Sequence, residues 1–460
     1  MTSAGSPPEP QGALASARDR LLLVGGAAVL ATLGFETVPL PVRAQITPLA
    51  TLIAVLVLPA ALGAAFSLPR SPLLVIVLAF GAFAAVHSVV ALGIDALVSG
   101  PNPIRTAAWL RQLAALAGGV AVFAVARVTL TRLSDGAVAR TVALGALPGV
   151  VLALLDVAWG ALRFKPAAHV VTVVRYTMIP PGLAVPGNFS DPRRAAGFCF
   201  EPSHFSIFLA TVAIPATVVW LSRARRRWVP AALVALEAVA LQWAFSITGV
   251  AVVAGILLAL AFASRFRRPA LAALAGGALT LAVLTVAFPK NYIAHQAARV
   301  VSMLVRGDYA DLPPSVTVVV FGTLGPFARV FSSLNLLGYG LGGTATHAAA
   351  VLPAAALRDV GLASWPEMPN LTTSLGRVFA ETGLVGLVLF AGMWVVAFRR
   401  LVREGDAVTG ASRVAALAGL AGLAIAHVIK VGSFAVPFVW FWLAYVDART
   451  AVPEGRDRPV

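Results

Sequence analysis

The sequence predicts an all-α polytopic membrane protein with about twelve transmembrane helices, two long external loops and both termini cytoplasmic. Of its 460 residues 59% are hydrophobic and 12% charged, with a mean hydropathy of +0.89. Soluble domains carry roughly 25% charged residues. Apolar runs near the length needed to cross a bilayer, about 20 residues, recur along the chain. Their Leu, Val and Ala with scattered Gly fit packed membrane helices rather than the alternating strands of a membrane barrel.

In chain order, residues 1–20 are rich in Ser, Gly, Pro and Ala and read as a disordered cytoplasmic tail. The next apolar run lacks a small-residue cleavage pattern and reads as an uncleaved first helix. Spans are expected near 21–36, 46–66, 73–97, 107–126, 137–158 and 198–221 in the first half. The second half adds 229–245, 247–264, 269–288, 375–398, 412–428 and 432–446. Residues 21–446 thus form one transmembrane domain, with 447–460 as a second cytoplasmic tail.

Arginines orient these spans. Arg223 with Arg225, Arg226 and Arg227, then Arg265 with Arg267 and Arg268, then Arg399 with Arg400 and Arg403 form three clusters that alternation places on the side of the termini. Arg70, Arg127 and Arg132 fall there too, so the positive-inside rule makes that side cytoplasmic. The long connections, about 159–197 and 289–374, are then external. The net charge of +16 sits mostly on arginines and lysines flanking apolar spans, which points to topology and lipid headgroups rather than nucleic acid. A single cysteine, Cys199, rules out an intramolecular disulfide and a cysteine-based metal site.

Asp191 to Ala210 is where the apolar pattern breaks. Arg193 and Arg194 precede a helix opening between Gly197 and Ser203, and a guanidinium fork near a helix N-terminus suits phosphate. Anchoring to lipid headgroups is the alternative role for either arginine. Glu201 begins the helix, where capping is the plain expectation, and His204 lies on the same face at helical spacing. An imidazole there is placed to move a proton near neutral pH. Glu237, by contrast, falls mid-span and needs a partner, for which His87, Asp156 and Lys430 are the candidates. No pair of acids or histidines stands at a metal-ligand spacing, so no metal or cofactor is implied.

Arg194-Ala-Ala-Gly197-Phe-Cys-Phe-Glu201-Pro202-Ser203-His204-Phe205, opening a helix after an external loop, resembles the oligosaccharide repeat-unit polymerases of the O-antigen ligase and polymerase superfamily. Phe245-Ser246-Ile-Thr248-Gly249, Leu337-Gly-Tyr-Gly-Leu-Gly-Gly343 and Phe379-Ala-Glu381-Thr-Gly383-Leu-Val-Gly386 are similar to that family's later turns and glycine-rich elements. The family's His or His-Asn before the last element has no close counterpart; Pro369-Asn370 and His347 stand farther away. Its arginine before the glycine-rich stretch is matched only by Arg329.

The resemblance implies metal-independent glycosyl transfer at the outer face of the bacterial cytoplasmic membrane, from a polyprenyl-pyrophosphate-linked glycan. It leaves polymerase and ligase both open. Membrane lipid and other polysaccharide-assembly proteins are the implied partners. Arg194, Glu201 and His204 would be catalytic; Arg193, Arg329, His347, Arg377 and Glu381 would contact pyrophosphate or glycan. The alternatives are a multispan transferase using polyprenyl-monophosphate sugars, whose first external loop offers only Glu36, and a lipid-linked glycan transporter coupled through Glu237, His87 and Lys430.

Overall fold

The computed structural model describes residues 10–36, 48–160, 162–178, 194–199, 201–244, 246–262, 267–287, 320–333, 335–347, 373–403, 410–430 and 432–450. They form helices α1 (Pro10–Ala31), α2 (Leu49–Ser67), α3 (Pro72–Ser99), α4 (Pro103–Arg132), α5 (Asp135–Gly160) and α6 (Lys165–Met178). α7 (Pro202–Arg223) follows, then α8 (Trp228–Trp243), α9 (Ile247–Phe262) and α10 (Arg267–Ala287). The remainder are α11 (Gly325–Ser333), α12 (Gly343–Thr346), α13 (Ser374–Arg403), α14 (Gly410–Ile429) and α15 (Pro437–Thr450). No strand occurs among the described residues.

Each of the twelve apolar runs falls on one of these helices, and six (α3, α4, α5, α7, α13 and α14) are long and apolar enough to cross a membrane. The outward surface is apolar as well: on α3 alone Leu78, Val86, Val90, Ile94, Leu97 and Val98 are exposed. A water-facing helix would carry polar residues there. This is a membrane protein.

Two boundaries differ from expectation. α1 starts at Pro10, well inside the supposed disordered tail, because Pro suits a first helical turn and the Ala, Leu and Gln after it are helix formers. α15 continues to Thr450, past the expected end at 446, because Asp447 and Ala448 are buried against the bundle. The long connections also have structure of their own. α6 occupies part of 159–197, with Ala167 and Val171 buried and Val170 and Val173 exposed. The second connection contains α11, preceded by a π-helical turn at Val320–Leu324, and α12.

Helix starts are locally encoded. Asn102 accepts from the Ile104 and Arg105 amides at 3.0 and 3.2 Å ahead of Pro103. Ser71 accepts from the Leu74 amide at 3.0 Å ahead of Pro72. Such caps satisfy donors that a helix cannot pair internally.

At the centre, α15 is buried on every side from Pro437 to Ala448 and packs on α4 and α14. Its two large indoles fit against small residues, Trp440 on Gly119 and Trp442 on Gly419. Each indole N–H is satisfied, Trp440 by Phe434 O at 2.7 Å and Trp442 by Thr211 O at 2.9 Å. Thr211 belongs to a π-helical turn, Leu209–Ala213, inside α7. Close packing of small residues against bulky ones is how helices associate without a water-driven force.

Apart from Glu237, charged side chains described in the bundle gather at its two ends. At one end Asp447 receives Arg127 Nε at 2.5 Å, Arg400 Nη1 at 2.9 Å and the Ser71 hydroxyl. Beside it Asp135 meets Arg449 Nε at 2.7 Å, Arg223 Nη2 at 3.3 Å and the Tyr445 hydroxyl at 3.0 Å. Removing one partner of a buried pair leaves an uncompensated charge. Arg127→Ala is therefore expected to cost about 3 kcal/mol, measured as unfolding in detergent, with Arg127→Lys recovering part; an unchanged Arg127→Ala protein would contradict the network.

Candidate functional site

The opposite end is formed by the start of α7, the segment after α1, the start of α13 and the connector after α14. Pro202 at the first helical position leaves Glu201 extended (φ −133°, ψ 149°), with its carboxylate off the helix axis. Glu201 does not cap its own helix, contrary to the plain expectation. Its Oε2 accepts from the Ser203 hydroxyl at 2.9 Å and pairs with Lys430 Nζ at 2.8 Å. His204, one turn on, places Nδ1 3.1 and 3.0 Å from the two oxygens of Glu36. The result is a row of alternating sign, Glu36, His204, Glu201 and Lys430. Glu36 is buried, whereas the side chains of His204, Glu201 and Lys430 keep 16%, 29% and 22% exposure.

Arg194 lies in the segment that leads into α7. Its segment is tied down by Ala195 N–H to Trp243 O at 3.2 Å and Ala196 N–H to Asp156 Oδ2 at 3.3 Å, and its own Nε reaches Ala244 O at 3.4 Å. Cys199 is buried, and burial together with the Glu36 charge pushes its thiol up, which disfavours a nucleophilic thiolate.

A second polar group surrounds the glycine-rich stretch. α13 is broken at Gly383 (φ 63°, ψ −162°), which frees backbone groups inside the bundle. The stretch takes them up: Tyr339 N–H bonds Ala380 O at 2.8 Å, Gly340 N–H bonds Glu381 O at 2.7 Å, and Leu384 N–H bonds Leu336 O at 2.8 Å. Gly338, Gly340 and Gly342 also have positive φ, and a side chain at Gly383 would strike Leu336 O and Leu337. These glycines thus allow two irregular segments to pair backbone to backbone.

Arg105, which sequence reasoning missed, clamps the stretch from α4. Its guanidinium donates to Leu341 O at 2.8 Å, to Tyr339 O and to Asp95 Oδ2 at 3.0 Å. Its only sequence signal is an Asp and an Arg flanking one short turn between two apolar spans.

The expected site residues divide clearly. Glu201 and His204 share the charged row and remain partly accessible, whereas Arg194, also partly accessible, bonds Ala244 O in the segment ahead of α7. His347 lies at the end of α12, its Nδ1 3.2 Å from Gly343 O and its ring stacked on Tyr339 at 4.5 Å. Arg377 and Glu381 are fully buried, so they hold the site together instead of facing a ligand. Arg377 donates to Gly432 O and lies 3.9 Å from Glu381, which also accepts from Thr344 at 2.5 Å. Arg193 lies outside the described residues, and Arg329 is described only as backbone of α11.

Glu237 does not meet His87, Asp156 or Lys430. Its partner is the Thr217 hydroxyl at 2.9 Å, Lys430 is taken by Glu201, and Asp156 supports Ala196.

One connector joins the two groups. Val428 O accepts from Thr323 at 2.7 Å, Lys430 pairs with Glu201, and Gly432 O accepts from Arg377. Among the described residues no three His, Cys, Asp or Glu side chains gather closely enough to hold a metal ion.

Fold and site together define an all-helical membrane protein with a charged, partly accessible cluster at one end of its bundle. No protein-family model matches the chain, and no curated protein matches it in sequence.

Burial alone would raise the Glu201 carboxyl, but Lys430, His204 and the Ser203 hydroxyl outweigh it and hold the group at about 2. A carboxyl lowered on folding gives stability that is complete above its ordinary value of 4.5 and lost as the pH falls toward 2. Lys430→Met is expected to melt below the wild type near pH 6, with the gap narrowing near pH 3. A gap independent of pH, read by scanning fluorimetry in detergent, would refute this pairing.

Proposed function

We propose that the protein is a membrane glycosyltransferase that polymerises or ligates polyprenyl-pyrophosphate-linked oligosaccharide repeat units at the outer face of the bacterial cytoplasmic membrane, without a metal ion. The observation that carries this proposal is the partly accessible row of His204, Glu201 and Lys430, with Arg194 in the segment leading into the same helix, at one end of a largely apolar bundle. In it the twelve helices that carry the apolar runs are twelve spans, the termini and the three arginine clusters are cytoplasmic, and the 159–197 and 289–374 connections are external.

The chemistry follows from the residue types. A departing pyrophosphate gathers negative charge, which preorganised cations stabilise most where water is scarce. Lys430 is the cation paired with Glu201, and Arg194, in the segment leading into α7, would add a planar fork suited to phosphate oxygens. The attacking sugar hydroxyl needs a proton acceptor within hydrogen-bond reach. Arg377, Glu381 and Arg105 act indirectly, by holding the connector and the glycine-rich stretch in place. The polyprenyl chain would lie against the apolar outer surface of the spans.

The test is conversion of lipid-linked repeat units by purified protein, with products read by mass spectrometry and chelator present. Longer lipid-linked chains mean polymerase, and transfer to a different acceptor means ligase. Glu201→Gln and Arg194→Ala are each expected to lower turnover about 10²-fold or more while the protein remains inserted. Strict dependence on added metal would favour the monophosphate-sugar transferase. Movement of substrate without a new glycosidic bond would favour the transporter.

A further inference from the structure

We infer that Glu36 is a positioning residue that fixes the tautomer of His204 and so makes His204 Nε2, not Glu201, the group that takes the proton from the attacking hydroxyl. The inference rests on the glycosyl-transfer proposal and deepens it.

The geometry is specific. A carboxylate only accepts hydrogen bonds, and both oxygens of buried Glu36 lie within 3.1 Å of His204 Nδ1. Nδ1 must therefore carry the hydrogen. In the neutral ring the lone pair is then on Nε2, on a side chain that keeps 16% exposure. A carboxylate behind an imidazole sets the tautomer and stabilises the imidazolium that forms when the ring accepts a proton.

Glu36 is held for this purpose by the chain around it. Phe35 stacks on Phe198 at 4.5 Å and 18°, the Cys199 thiol donates to Gly34 O at 3.6 Å, and Leu49 N–H bonds Phe35 O at 2.9 Å. Gly34 packs so closely on the Phe208 ring that an added Cβ would fall 2.6 Å from it. The segment after α1 is thereby strapped to the first turns of α7 on both sides of His204.

Glu201 is poorly suited to the same task. Its Oε2 is shared by the Lys430 ammonium and the Ser203 hydroxyl, and a carboxyl held near 2 is a weak base at neutral pH. The charged groups acting on His204 are Glu36, Glu201 and Lys430. In the step, the hydroxyl proton passes to Nε2 and the hydroxyl oxygen bonds the anomeric carbon. The bond from that carbon to the phosphate oxygen breaks with its electron pair, and pyrophosphate leaves as the anion. The imidazolium then sits between two carboxylates and returns its proton to solvent.

Glu36→Gln keeps the shape and one acceptor oxygen but removes the charge. It is expected to lower kcat about 10²-fold with KM for the lipid-linked donor within about twofold, and Glu36→Asp to recover part of the loss. Combined with His204→Ala it should add nothing to the single-variant loss. Nitrogen-15 NMR of histidine-labelled protein, assigned by the signal lost in His204→Gln, should show the Nδ1–H tautomer in the wild type and a mixture in Glu36→Gln. Wild-type kcat in Glu36→Gln, or an Nε2–H ring in the wild type, would overturn the role of Glu36 alone. Wild-type protein that forms no glycosidic bond would instead overturn the function on which it rests.

Discussion

A charge inside an apolar bundle needs a partner made of protein, because neither hydrocarbon nor packed side chains can solvate it. Much of the structure follows from that constraint. Asp447 is surrounded by Arg127, Arg400 and Ser71, Asp135 by Arg449, Arg223 and Tyr445, and Arg105 by Asp95 and two carbonyls. Each set draws on several helices, so satisfying one charge also fixes how those helices meet. Glu237 is the exception within a span, and there one hydroxyl takes the place of a charged partner.

The two ends use the same rule differently. At the Asp447 end the acid is fully covered and closely surrounded by cations. At the Glu201 end the acid, the imidazole and the ammonium all keep some exposure. A pair that is formed yet reachable is one an incoming ligand can join or exchange with. That contrast in accessibility, more than the residue types, separates a group that braces the fold from the one proposed to do chemistry.

Helices were legible because each needs only a run of apolar residues, and every expected run falls on one. Their ends were less so: hydropathy is blind to Pro10 as a helix start and to the burial that carries α15 past 446. Glu201, His204 and Arg194 stood out as polar residues in an apolar stretch. Their partners did not. Glu36 and His204 are 168 residues apart, and nothing periodic links them. Lys430 was visible as a charge in a span, but which acid it meets is a property of packing, and the expected partner, Glu237, lies elsewhere. Arg377 and Glu381 show the converse: their motif was readable, while their complete burial was not.

The end of α14 and the residues just beyond it tie the two polar groups together: the carbonyl at 428 is held from Thr323, the ammonium at 430 by Glu201, and the carbonyl at 432 by Arg377. The stretch works as a shared ruler. Arg377 reaches it from the start of the broken helix and Glu201 from the charged row, so one short piece of chain serves both groups. A shift at the start of α13 would therefore act on Gly432 and, two residues away, on the Lys430 that pairs with Glu201.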